Sequence, residues 1–118
     1  MKYYSIIIYI FVATNKVKTN IMKNILAFSG SNSSKSINQT LINYLGKEFG
    51  IKTQSLQNWD IPIYSQDYEE ENGSPQQIKD FIESLKSYDG VVIATNEHNG
   101  YMSAFFKNIL DWMSRTEM

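Results

Sequence analysis

The fold of this chain is decided by the stretch Ile25-Leu26-Ala27-Phe28-Ser29-Gly30-Ser31-Asn32-Ser33-Ser34-Lys35-Ser36-Ile37-Asn38. Its apolar first part is typical of a buried parallel strand, and it stops abruptly at a loop of small, hydroxyl-bearing residues. A helical pattern then begins at Ser36, which forms a capping box with Gln39. A strand, a polar loop and a helix N-terminus in this order can bind a phosphate, because they supply N–H groups, hydroxyls and a partial positive charge.

Strand and helix signals alternate along the rest of the chain. Strands are predicted at residues 23–29, 51–56 and 91–95, and helices after Ser36, after the capping box Ser74-Pro75-Gln76-Gln77 and after Ser103. Loops are predicted at 58–64, at the acidic run 67–71 and at the polar stretch 96–100. This β-α-β-loop-α-β-α order predicts a doubly wound parallel sheet between two helix layers, an α/β/α arrangement. The loops 29–38 and 96–100 would then meet at the topological switch point, where ligands bind.

Composition narrows the possible functions. The chain has 118 residues, a net charge of -1, no cysteine and one histidine, His98. This size suggests one domain, and the near-neutral charge argues against non-specific nucleic-acid binding. Disulfides, thiolate metal sites and a cysteine nucleophile are excluded, and a single histidine excludes a histidine-clustered metal site, so we predict no metal centre. The lack of cysteine is compatible with a reducing cytoplasm, which is the predicted location.

The segment 1–21 has three interpretations. Its apolar run from Tyr3 to Ala13 is shorter than the roughly 20 residues that a membrane-spanning helix needs. We favour an extension upstream of a natural start at Met22, outside a domain at 22–118. A signal or membrane-associated segment is the second interpretation, because Lys2 precedes the apolar core. An extra strand that covers an open sheet edge is the third and least favoured.

The first loop fits one phosphate-binding pattern and departs from two others. A P-loop requires a second glycine before the lysine, and the spacing from Gly30 to Lys35 is one residue short. The dinucleotide fingerprint Gly-x-Gly-x-x-Gly fails, because only Gly30 is present. A loop rich in serine suits a phosphate monoester such as that of FMN. An ordinary serine-rich connection with a good helix cap remains the alternative.

Taken together, these motifs make the chain from about Met22 to Arg115 resemble the NAD(P)H-dependent FMN reductase family of flavodoxin-like proteins. The family pattern Gly-Ser-x-Arg-x-x-Ser-x-Asn is similar to residues 30–38, and the Pro-Glu-Tyr-Asn loop is similar to Asn96-Glu97-His98-Asn99. The Lys-Asn-x-x-Asp-Trp motif is intact as residues 107–112. Residues 60–64 resemble the family's Leu-Pro-x-Tyr/Phe segment.

The resemblance implies a cofactor, a reaction and a set of contacts. The FMN phosphate would be held by Ser31, Ser36 and Asn38, with Ser33 at the same loop. The isoalloxazine ring would lie along Asn96, Glu97, His98 and Asn99, largely through main-chain contacts. NAD(P)H would give a hydride to the flavin, which would reduce a small acceptor such as a flavin, a quinone or an azo dye. No side chain need act as an acid or a base, and family members of full length imply a homodimer or homotetramer.

Several features depart from the family. Ser33 replaces the family arginine, which Lys35 can replace only as a point charge. Asn96 and His98 replace a proline and a tyrosine, and protonation of His98 can tune the flavin. Family members continue with further strands, so the chain is expected to be the N-terminal part of such a domain, with about three core strands and an unpaired strand edge. A non-catalytic flavodoxin-like remnant or interaction module is the alternative function, and a membrane-tethered form is a further one.

Overall fold

The computed structural model describes residues 6–12 and 24–116 of the chain. In chain order its elements are β1 (Ile6–Val12), β2 (Ile25–Ser29), α1 (Ile37–Phe49), β3 (Lys52–Gln54), α2 (Gln66–Asn72), α3 (Gln76–Leu85), β4 (Gly90–His98), β5 (Tyr101–Met102) and α4 (Ala104–Arg115). Strands β2, β3 and β4 lie where the sequence predicts strands. Helices α1, α3 and α4 lie where it predicts helices.

The strands form a sheet in the order β1-β4-β2-β3, with the short β5 paired to β4 alone. Strand β2 runs parallel to both β3 and β4, so the first predicted strand lies between the second and the third. This is the doubly wound order that the alternation of strands and helices predicts. The pairing of Ser29 with Ala94 brings the carboxyl ends of β2 and β4 to the same edge of the sheet.

Helices cover both faces of this sheet. One apolar cluster joins Phe28 of β2 to Phe81 of α3 and Trp112 of α4. A second cluster joins Ala27 of β2 to Ile42 of α1. Because Ala27 and Phe28 are neighbours in one strand, their side chains lie on opposite faces, and the two clusters are two separate layers of core. The predicted three-layer α/β/α architecture is therefore confirmed.

Of the three interpretations of the N-terminal segment, the least favoured one, an extra strand on the sheet edge, is present in the structure. Strand β1 pairs antiparallel with β4, from Ile6 opposite Asn96 to Val12 opposite Gly90. The physical reason is an unpaired edge of β4 that a β-branched, apolar run can cover. Residues 1–5 and 13–23 lie outside the described residues. The domain boundary at residue 22 stays a prediction.

The acidic run 67–71 is helical, so the predicted loop there is wrong. Ser65 caps α2, because its hydroxyl accepts the Tyr68 N–H over 3.1 Å. Asp67 and Glu69 lie in the first turn, where negative charge interacts favourably with the helix dipole. The same carboxylates that suggest a solvated loop therefore stabilise a short helix.

The predicted helix caps are confirmed at two of three positions. The hydroxyls of Ser36 and Ser103 accept N–H groups of the first turns of α1 and α4. The Ser74 cap is wrong by one residue, because Pro75 occupies the N-cap of α3 without a side-chain hydrogen bond. Gly50 ends α1 with φ 65°, a left-handed conformation that glycine adopts without steric cost.

Candidate cofactor-binding site

The loop that follows β2 leaves the sheet through a narrow gap at Gly30. The Gly30 N–H donates to the Ala94 carbonyl oxygen of β4 over 2.9 Å. A Cβ atom at this position would lie 2.8 Å from both Phe106 and the Thr95 hydroxyl. Glycine is therefore required by close approach and not by an unusual φ. The Ser103 hydroxyl reaches the Gly30 carbonyl oxygen over 3.4 Å, which ties the start of α4 to this loop.

Serine hydroxyls hold the loop in shape from one step to the next. The Ser31 N–H donates to the Ser29 hydroxyl, the Ser33 N–H to the Ser31 hydroxyl and the Lys35 N–H to the Ser33 hydroxyl, each over 3.2 Å. In each contact the hydroxyl acts as an acceptor, so its own proton remains able to donate elsewhere. Ser31 is buried at the base of the loop, and Ser33 is exposed at its crest.

The loop ends at the N-terminus of α1, where two amide side chains are almost completely buried. Asn38 is 4% exposed and Gln39 is 7% exposed. Among the described residues, Oδ1 of Asn38 and Oε1 of Gln39 are buried without a hydrogen-bond partner. A buried polar atom without a partner costs free energy unless a ligand or water satisfies it. Ser36 acts here as the N-cap and leaves the positive end of the helix dipole facing the loop.

A contact from outside the loop fixes its crest. Nε2 of Gln57 donates to the Ser33 carbonyl oxygen over 3.1 Å. Lys35 is exposed on the same loop. Gln57 lies in the segment after β3, and the sequence pattern contains no signal for this non-local contact. Ser33, a neutral residue, therefore occupies the position at which the family pattern has arginine. Gln57 anchors its backbone.

The second predicted segment is a strand and not the expected loop. Asn96, Glu97 and His98 continue β4, and β5 returns beside them with His98 opposite Tyr101. The turn between the strands has φ 54° at Asn99 and φ 77° at Gly100. An Asn-Gly pair with positive φ at both positions forms the tight hairpin turn that matches strand twist. The predicted loop is therefore wrong here, and the Asn-Gly pair is the signal in the sequence that could have indicated the hairpin.

Within this segment, side chains of the same strand face contact each other. Nδ2 of Asn96 lies 3.0 Å from Nε2 of His98. Oδ1 of Asn96 is a further buried oxygen without a partner among the described residues. Asn96 and Glu97 are half-buried, whereas His98 and Asn99 are exposed. Both segments follow the paired residues Ser29 and Ala94, so Ser31 and Asn96 lie beyond the same end of this strand pair.

The Lys-Asn-x-x-Asp-Trp motif on α4 holds residues 60–64, the segment that resembles the family's Leu-Pro-x-Tyr/Phe pattern. Nδ2 of Asn108 donates to the Pro62 carbonyl oxygen over 3.0 Å, and Oδ1 of Asn108 accepts the Tyr64 N–H over 2.9 Å. Trp112 donates its indole N–H to the same Pro62 carbonyl oxygen. Trp112 packs in the core, because its side chain is fully buried. Lys107 pairs with Asp111 one turn along the helix, and this hydrogen bond raises the pKa of Lys107.

A small polar network also holds the segment of residues 60–64 through Tyr64. The Tyr64 hydroxyl donates to Glu69 over 3.0 Å, and Nε of Arg115 donates to the same carboxylate over 3.3 Å. The hydrogen bond to Glu69 raises the pKa of Tyr64, and the same carboxylate raises the pKa of Arg115. The network joins the segment to α2 and α4.

The described part of the chain contains no group of three or more His, Cys, Asp or Glu side chains that could hold a metal ion. None of its helices has both the length and the apolar character needed to cross a membrane.

Fold and loop geometry define a flavodoxin-like α/β protein with a serine-rich turn at its switch point. The sequence profile of the NADPH-dependent FMN reductase family matches residues 23–118. The chain therefore belongs to that family.

Individual relatives agree with this assignment. The chain is 41% identical to a quinone reductase of Escherichia coli over 56 residues, which cover 48% of this chain and 30% of the relative. It is 32% identical to an NAD(P)H-dependent FMN reductase of Pseudomonas aeruginosa over 95 residues, 77% of this chain and 50% of the relative. The solved structure of FerB, a flavoenzyme NAD(P)H:(acceptor) oxidoreductase from Paracoccus denitrificans, matches with a TM-score of 0.64 and 26% identity, over 80% of this chain and 52% of that chain.

The chain spans about half the length, or less, of the curated relatives that it matches. What those proteins do as whole molecules therefore reaches this chain only as a proposal.

Proposed function

We propose that this chain binds FMN at the edge where β2 and β4 end, and acts in the NAD(P)H-dependent reduction of a quinone or flavin. The observation that carries the proposal is the loop from Gly30 to Ser36, which ends in buried amides with unpartnered oxygens. Support comes from the family and from relatives whose names are FMN reductase and quinone reductase.

The residues present fit FMN chemically. A phosphate monoester needs hydrogen-bond donors, and the hydroxyl of Ser31 and the N–H groups at the start of α1 are donors next to a positive dipole end. The ribityl hydroxyls need acceptors, and Oδ1 of Asn38 and Oε1 of Gln39 are buried acceptors without a described partner. The site therefore contains both kinds of partner that the cofactor requires.

Each predicted residue then has a distinct role. Ser31 donates to the phosphate, Ser36 keeps the helix end in place, and Ser33 shapes the loop crest through its contact with the Lys35 N–H. The backbone of Asn96 to Asn99 borders the ring. Bound FMN carries out the transfer of hydride and of electrons. The chain positions the cofactor, supplies charge and excludes water. The electron donor is NAD(P)H, and the acceptor is a small molecule.

The cellular location and the assembly of the chain are part of the same proposal. A cytoplasmic location is supported by the absence of cysteine, and assembly into homodimers or homotetramers is supported by the family resemblance alone. The unpaired edge expected for β4 gives no support to assembly, because β1 covers it.

The proposal is tested by titrating FMN into the purified chain and following quenching of flavin fluorescence. Ser31→Ala is expected to weaken FMN binding by about 10- to 100-fold, since a hydrogen bond to a charged group contributes roughly 1.5–3 kcal/mol. Ser34→Ala is the matched control, because this exposed serine lies in the same loop. FMN binding with NAD(P)H oxidation supports the proposal. Binding without oxidation favours the non-catalytic alternative, and no binding contradicts the proposal.

A further inference from the structure

The contact between Asn96 and His98 involves two positions at which this chain departs from the family pattern, which has proline and tyrosine there. Asn96 and His98 are two residues apart in β4, so their side chains lie on the same face of the sheet. The carboxamide Nδ2 lies 3.0 Å from the imidazole Nε2, while the carboxamide Oδ1 is buried and unpartnered among the described residues. One end of the carboxamide thus contacts a titratable ring, and the other end is buried in the interior without a partner.

The pair has two complementary states. If Nε2 of His98 carries no proton, it accepts from Nδ2 of Asn96, and Oδ1 faces the interior as an acceptor. If Nε2 carries a proton, it donates, and the carboxamide must turn so that Oδ1 faces the ring and Nδ2 faces the interior. Carboxamide oxygen and nitrogen have nearly the same shape, so this rotation exchanges hydrogen-bonding character without changing packing.

We propose that the proton on His98 decides whether Asn96 presents a hydrogen-bond acceptor or a donor to the flavin. The proposal rests on the FMN site proposed above. Histidine is the side chain type that ordinarily changes charge between about pH 5 and 8. Oxidised isoalloxazine has more acceptors than donors along its polar edge. Oxidised FMN is therefore bound more tightly when His98 is protonated and Nδ2 faces the site.

Few other titratable groups face this pair in the described structure. Glu97 lies between the two residues, and its side chain is on the opposite face of β4 because neighbours alternate. Tyr101 lies across the hairpin from His98, and Ile6 of β1 lies opposite Asn96. Lys107 is paired with Asp111, whose hydrogen bond raises the pKa of Lys107. The nearby Tyr101 raises this pKa further through its charge.

The first test needs no cofactor. His98 is the single histidine, so the imidazole nitrogens of a uniformly ¹⁵N-labelled chain are assigned without ambiguity. At about pH 8, the native chain is expected to show the Nδ1–H tautomer, although an unconstrained histidine side chain favours Nε2–H. Asn96→Ala is expected to restore the Nε2–H tautomer, and Asn58→Ala, at an exposed asparagine, to leave the native tautomer unchanged. The Nε2–H tautomer in the native chain at this pH would overturn the proposal.

The second test measures FMN affinity by fluorescence at about pH 5.5 and about pH 8.0. The native chain and Asn58→Ala are expected to bind about three- to tenfold more tightly at the lower pH, the effect of roughly one hydrogen bond. Asn96→Ala is expected to lose this difference. A difference that persists in Asn96→Ala would show that His98 acts by charge alone, and would overturn the proposal. Failure to bind FMN at either pH would contradict the proposed function. The tautomer measurement alone would then decide whether Asn96 donates to His98 as proposed.

Discussion

The indole N–H of Trp112 donates to the carbonyl oxygen of Pro62 over 2.7 Å. Trp112 is fully buried on α4, and Pro62 belongs to the segment before α2. This hydrogen bond attaches an otherwise irregular segment to the core. The tryptophan of the Lys-Asn-x-x-Asp-Trp motif is therefore both a packing residue and an anchor.

Trp112→Phe is expected to lower the free energy of unfolding by about 2–3 kcal/mol, because it removes buried volume and a buried hydrogen bond. The loss stays moderate because Asn108 still donates to the Pro62 carbonyl oxygen. Trp59→Phe is the matched control at a half-buried tryptophan and is expected to cost about 1 kcal/mol. Urea denaturation of both variants measures the difference. Equal losses would show that the anchor adds nothing to packing.

Gly30→Ala is expected to destabilise the chain by about 1–3 kcal/mol and to weaken FMN binding, because the new methyl group would overlap Phe106 and Thr95. Gly50→Asn is the control, since asparagine tolerates the left-handed conformation of Gly50 and no atom lies within 4 Å of a Cβ built there. Thermal denaturation and FMN titration give the two measurements. A Gly30→Ala chain as stable as the control would contradict the close approach.

Ser33→Arg is expected to tighten FMN binding by about three- to tenfold, because an arginine returns to the family position at the loop crest and can bind phosphate in a bidentate manner. The serine is exposed, so a longer side chain has room. Asn32→Arg adds the same charge at the neighbouring exposed position and serves as the control. Titrations at low and high salt separate the two effects. If both variants gain equally and both gains vanish in salt, charge alone is responsible.

Alkaline pH is expected to destabilise the native chain partly through Tyr64. Its hydrogen bond to Glu69 raises the pKa of Tyr64 above the ordinary value of 10.0, so the folded state keeps a proton that the unfolded state releases. The contribution of Tyr64 to stability is therefore present below about pH 10 and lost as the pH rises through the folded-state pKa. Tyr64→Phe is expected to show a shallower fall in the free energy of unfolding between about pH 9 and 11. Tyr44→Phe, at an exposed tyrosine, should retain the native slope.

Local signals in the sequence predicted the parts of the fold that local physics decides. Ser36 and Ser103 cap their helices because a serine before an apolar pattern satisfies free N–H groups with its own hydroxyl. The acidic run forms a helix where a loop is predicted, because its charges suggest solvent while Ser65 supplies a cap that makes a short helix favourable. The hairpin at Asn99 and Gly100 was detectable, because this pair is a strong turn signal.

Contacts between distant parts of the chain could not be predicted from these signals. The contact of Gln57 with Ser33 and the anchor of Trp112 on Pro62 depend on how separate elements meet. The pairing of β1 with β4 is of the same kind, since an apolar run does not specify which edge it covers. The predicted site residues Ser31 and Asn38 lie at the first loop, but the roles of all predicted site residues remain predictions. The side-chain contact between Asn96 and His98 became visible only in the structure.

The pairing of β1 with β4 has a consequence for hydrogen exchange. Successive amides of a strand point to opposite neighbours, so an edge strand protects only every second amide from solvent. With β2 on one side and β1 on the other, both sets of β4 amides are covered from Gly90 to Ala94. The strand that leads to the candidate site is thus an interior strand, and its amide protons should exchange at rates set by opening of the whole sheet.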